Sequence, residues 1–75
     1  MKSTLTPYEN LANAIILKAV EDYRKVLQRQ KQAPEQESVR AEKQSIEQFF
    51  LSDWFSILTT LNPEMLIHRL SQEVA

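Results

Sequence analysis

Apolar residues recur along the first part of the chain at Tyr8, Leu11, Ala12, Ile15, Ile16, Ala19, Val20, Tyr23, Val26 and Leu27. Residues three and four apart share one face of a helix, so this set forms a single wide stripe. Thr6-Pro7-Tyr8-Glu9 marks its start. A threonine hydroxyl caps free N–H groups, proline at the first helical position loses no hydrogen bond, and the glutamate stands where a capping box needs it. Arg24, Lys25, Arg29 and Lys31 gather at the other end, where cations complement the helix dipole. The pattern predicts a helix over residues 7–30.

The stretch KQAPEQES that follows has no apolar period and contains Pro34. It predicts a connection over 31–37, with Pro34 or Ser38 opening the next helix, 38–51. That helix places Val39, Ile46, Phe49 and Phe50 on one side and Arg40, Glu42, Lys43, Gln44, Glu47 and Gln48 on the other. Ser52-Asp53 restarts a helix over 53–61, and its apolar residues Trp54, Phe55, Ile57, Leu58 and Leu61 imply burial on most sides. Asn62-Pro63-Glu64 repeats the cap-proline-acid grammar and opens a last helix over 63–73, with Met65, Leu66, Ile67, Leu70 and Val74 as its apolar face. The expected fold is all-α: residues 1–75 form one domain, a small bundle of three to four helices with a long N-terminal member.

Composition sharpens this. The 75 residues contain no glycine, which disfavours hairpin turns and phosphate-cradling loops, and no cysteine, which removes disulfides and thiolate metal sites. A chain this short buries only about 60% of its unfolded surface, and such domains are usually stabilised by disulfides, metals or self-association. Two short C-terminal helices are too small to cover the long stripe, so either the second helix or a second copy completes it; a homodimer is the expectation. The net charge of −1 gives no strong attraction to nucleic acid or membrane. The longest unbroken apolar run, Ala14 to Leu17, is too short to span a bilayer, and MKSTLTPYEN lacks the apolar run of a signal peptide. A cytoplasmic protein is expected.

Few residues suggest chemistry. His68 is the sole histidine, four residues after Glu64, and reads as a surface position. Ser52 reads as a cap, with no base placed near it in sequence. The carboxylates Glu35, Glu37, Glu42, Glu47, Asp53 and Glu64 read as solvated faces without metal-ligand spacing. No catalytic residue, metal site or cofactor is predicted. Lys18, Lys25, Arg29 and Lys31 form a basic stretch that would serve a nucleotide or nucleic acid, although Glu21 and Asp22 interrupt it. Phe49, Phe50, Trp54 and Phe55 are the densest signal, because aromatic residues dominate cores and interface centres alike.

The segments Asn13–Leu27 and Ser45–Leu70 resemble a group of short uncharacterised helical proteins encoded in prophages and integrative elements of Gram-positive bacteria. Ala14-Ile15-Ile16, Asp22-Tyr23-Arg24, Phe49-Phe50, Ser52-Asp53-Trp54-Phe55 and Leu66-Ile67 carry the resemblance. The chain departs from the group at Asn62-Pro63-Glu64-Met65, where the group has a Gly-Glu-Tyr-type turn. The resemblance implies an accessory protein of a phage or mobile element and transfers no activity. The predicted function is therefore a non-enzymatic protein-interaction module that binds a host or element-encoded protein, for example as an inhibitor of a host defence system. Its expected anchors are Trp54, Phe55, Phe50, Tyr23 and Arg24. The alternatives are a nucleotide or nucleic-acid binder using the basic end of the first helix, and a purely structural oligomer.

Overall fold

A computed structural model describes residues 6–74. Its four helices are α1 (Pro7–Gln32), α2 (Glu37–Phe50), α3 (Asp53–Leu58) and α4 (Pro63–Val74), and no strand occurs among the described residues. The fold is a small all-α bundle.

Each helix begins where local chemistry can satisfy its free N–H groups. Thr6 and Glu9 form a complete capping box: the Glu9 N–H donates to the Thr6 hydroxyl, and the Thr6 N–H donates to the Glu9 carboxylate. The Ser52 hydroxyl accepts from the Phe55 N–H and opens α3. The Asn62 carbonyl oxygen accepts from the Met65 N–H at 3.1 Å and opens α4, with Pro63 at its first position. Only α2 begins without a side-chain cap, from Gln36.

Five boundaries differ from the sequence expectation, the smallest difference being the end of α4 at Val74 rather than residue 73. α1 continues to Gln32 instead of ending near residue 30, because the apolar period stops at Leu27 but nothing opposes helix before Pro34. Proline disfavours helical backbone in the residue before it, and Ala33 accordingly leaves the helix while its N–H still bonds the Arg29 carbonyl. α2 runs from Glu37 to Phe50, one residue earlier at each end than expected. α3 stops at Leu58 rather than reaching residue 61, since Thr59 is fully extended. Two β-branched threonines and then Asn62-Pro63 favour extended chain there.

The long axis of the molecule is 44 Å, close to the ~39 Å expected of the 26-residue α1 at 1.5 Å per residue. α2 returns antiparallel along α1, so that Glu42 meets Arg29 and Glu47 meets Tyr23. α4 runs in the direction of α1: Ser71 lies by Tyr23, Glu73 pairs with Arg24, and Val74 accepts from Lys31. Tyr23, Val26, Leu27, Val39, Phe50, Phe55 and Leu70 form the core, with Ile16 at its edge. Tyr23, Phe50 and Phe55 meet edge to face at 5.5–5.7 Å, the geometry that aligns ring edges with ring faces. α2 and α4 thus cover the α1 stripe from Ile16 onward. They leave its first two turns to α3, which has only six residues.

Candidate functional site

That shortfall creates the most distinctive surface of the molecule. Between the start of α1 and α3 lies a groove of about 370 Å³ lined by Tyr8, Glu9, Leu11, Ala12, Ile15, Trp54, Ile57 and Leu58. Glu9 is its one charged residue. Tyr8 is 84% exposed, Ile57 79% and Trp54 56%. Leu61 and Met65, at the start of α4, are also exposed. A second concavity of about 310 Å³ there is lined by Leu61, Asn62, Met65, Leu66 and Arg69. Isolated exposed apolar side chains are ordinary on proteins, but large ones gathered at one end mark an interaction surface.

Of the expected anchors, only Trp54 is on this surface. Its indole stands edge-on to Phe49 at 5.9 Å. Phe55, Phe50 and Tyr23 are core residues, none more than 1% exposed, and present no ring to a partner. The reason is angular: adjacent residues on α3 point about 100° apart, so when Phe55 turns inward Trp54 must turn out. Arg24 is exposed, but its guanidinium is held in a two-bond pair with Glu73, at 2.9 and 3.3 Å. The pairing raises the Arg24 pKa and holds the Glu73 carboxyl below its usual range, hydrogen bonding being the leading cause in each. Tyr8, Leu11, Ile57, Leu61 and Met65 were not distinguished by sequence from core-facing residues. The signal that separates them is a mismatch of size: a helix apolar on most sides and under two turns long has one inner face.

The basic residues do not form one free patch. Lys18 binds Asp22 at 2.9 Å, Arg29 binds Glu42 at 2.8 Å, and the Lys31 ammonium donates to the Val74 carbonyl at 2.7 Å. Lys25 is exposed and forms no ion pair among the described residues. Hydrogen bonding to Asp22 raises the Lys18 pKa. These cations are thus turned toward different neighbours on α1, α2 and α4.

The remaining candidates occupy structural positions. The Ser52 hydroxyl donates to the Phe49 carbonyl at 2.6 Å while capping α3, so both of its hydrogen-bonding roles are taken. His68 is exposed on α4 and is not paired with Glu64 among the described residues. Glu42 and Glu47 face Arg29 and Lys43, Glu35 and Glu37 are exposed, and Asp53 and Glu64 stand in first helical turns. No group of three or more acidic or histidine side chains is placed to hold a metal ion among the described residues. No helix among them is long and apolar enough to cross a membrane.

No protein-family model, curated protein or solved structure matches the chain.

Proposed function

We propose that the chain is a protein-interaction module that acts by stoichiometric binding through its apolar end. The observation that carries this reading is the groove between α1 and α3, in which large apolar side chains face solvent together. Water gains no hydrogen bonds from such a surface, and covering it releases roughly 25 cal/mol for each Å². Trp54, set at the rim with its ring already steadied by Phe49, is the type of side chain that dominates binding energy at interface centres. A phage or mobile-element setting, and a role in blocking a host defence component, are part of the same proposal and rest on the sequence resemblance. Nucleotide or nucleic-acid binding is a weaker reading, because three of the four basic residues it requires, Lys18, Arg29 and Lys31, are engaged with separate internal partners.

A photo-crosslinking residue at position 57 tests the proposal in the expression host. It should give a discrete protein adduct, whereas the same group at the exposed position 40 on α2 should give none. Equal or absent crosslinking at the two positions would remove the apolar end as a binding surface.

A further inference from the structure

We infer that α4 is a detachable strap. It opens from α1 and α2 as one unit while the body formed by α1, α2 and α3 stays folded, and the stretch 59–62 is its hinge. The inference stands apart from the groove between α1 and α3.

The packing of α4 is the first support. Of its twelve residues only Leu70 is buried. Leu66, Ile67 and Val74 are partly buried against the core. The rings that organise the interior, Tyr23, Phe49, Phe50 and Phe55, all belong to α1, α2 and α3 and meet at 5.5–5.8 Å. Aromatic pairs stabilise beyond the area they bury, and the departure of α4 breaks none of these.

The tether is the second. No Cα of α3 lies within 8 Å of a Cα of α4. Thr59 is fully extended. The Thr59 N–H donates to the Phe55 carbonyl and the Leu61 N–H to the Thr59 hydroxyl. The two carbonyl oxygens of Asn62 accept from Met65 and Leu66. Among the described residues, no hydrogen bond of 59–62 reaches α1 or α2. A hinge is a short segment that can change its backbone angles, and here it can do so without breaking a bond to the helices that α4 leaves. The α2–α3 corner is the opposite case, because the Ser52 hydroxyl bonds both Phe49 and Phe55.

The third is the kind of contact that holds the strap down. The Arg24–Glu73 pair is half exposed on both sides, and the bond from Lys31 to the Val74 carbonyl is exposed as well. Water replaces such contacts readily, so they hold α4 only weakly. The Tyr23–Glu47 bond joins α1 to α2 and stays intact when α4 lifts. Opening uncovers the side of α1 at Tyr23 and Leu27, which Ser71 and Val74 flank in the closed form. Elements that move in regulation are drawn from such weakly held parts of a fold.

Amide hydrogen exchange on the full chain, followed residue by residue by NMR, tests this. In the wild type the hydrogen-bonded amides of α4 should exchange at least about tenfold faster than the slowest amides of α1 and α2. Ser52→Ala loosens the body alone. It should speed those slowest amides about fivefold, the size of a lost cap, and leave α4 unchanged, because the corner is the same in the open and closed forms. Glu73→Gln should speed the α4 amides about two- to fivefold by one common factor. If α4 exchanges as slowly as the slowest amides, or Ser52→Ala speeds it by the same factor as them, α4 leaves only when the whole chain unfolds and the inference is overturned. It is equally overturned if Glu73→Gln speeds only the amides next to position 73, since the helix then frays instead of opening as a unit.

Discussion

Tyr23 is the residue on which the interior is most sharply defined. It is fully buried, packs edge-on against Phe50, and donates its hydroxyl proton to the Glu47 carboxylate at 2.5 Å. Burial, followed by the Glu47 hydrogen bond, pushes the phenol up to about 12. The folded pKa is thus above the ordinary tyrosine value. The resulting stabilisation is complete below about pH 10 and is lost as pH rises through 12. Tyr23→Phe keeps the ring but leaves the half-buried Glu47 carboxylate without this donor. It should cost about 1–2 kcal/mol near neutral pH, a fall in Tm of about 4–8 °C for each kcal/mol, by thermal melting. Above pH 10 the gap between wild type and variant should narrow; a gap independent of pH would show that the hydroxyl contributes nothing through its proton. Residue spacing placed Tyr23 in the apolar stripe of α1, and its burial follows from that stripe. Spacing does not tell that Tyr23 is buried rather than presented to a partner, because the acceptor that lets a tyrosine be buried is on α2, 24 residues away.

At the scale of elements, the helix starts were the most legible feature. Thr6-Pro7-Tyr8-Glu9, Ser52-Asp53 and Asn62-Pro63-Glu64 each encode their cap within four residues, so nothing distant is needed to interpret them. Helix ends were less legible, since they depend on backbone preferences spread over several residues, as at Thr59-Thr60 and Ala33-Pro34. Faces were least legible on α3: in under two turns, period cannot tell Trp54 from Phe55, and contact with Phe49 and Phe50 decides between them. Ser52 fixes that outcome, because its hydroxyl joins the end of α2 to the start of α3. Ser52→Ala should cost about 1 kcal/mol in global stability, with Ser52→Asp retaining more of the cap than alanine does. Denaturant unfolding checks the order; alanine as stable as serine would mean that packing alone sets the corner.

The whole molecule is polarised along its long axis. One end is closed by ion pairs and hydrogen bonds joining α1 to α2 and α4, exposed contacts that each stabilise only weakly. The other end carries the apolar groove, where α2 has already ended and α3 is too short to replace it. Sequence alone anticipated the imbalance, as a long stripe with too little helix to cover it, and named a second copy as one solution. Which end stays open depends on where α2 turns back, and that was not written in the period. Trp54, the only tryptophan of the chain, stands on the open end and reports on it directly. The most direct measurement is its fluorescence emission with and without the protein captured by the crosslink at position 57, corrected for that protein's own emission, with Ile57→Asp as the reference. If the groove is the binding surface, emission shifts to shorter wavelength on addition and the variant stays at the long-wavelength limit. Emission that the addition leaves unchanged in both chains would contradict it.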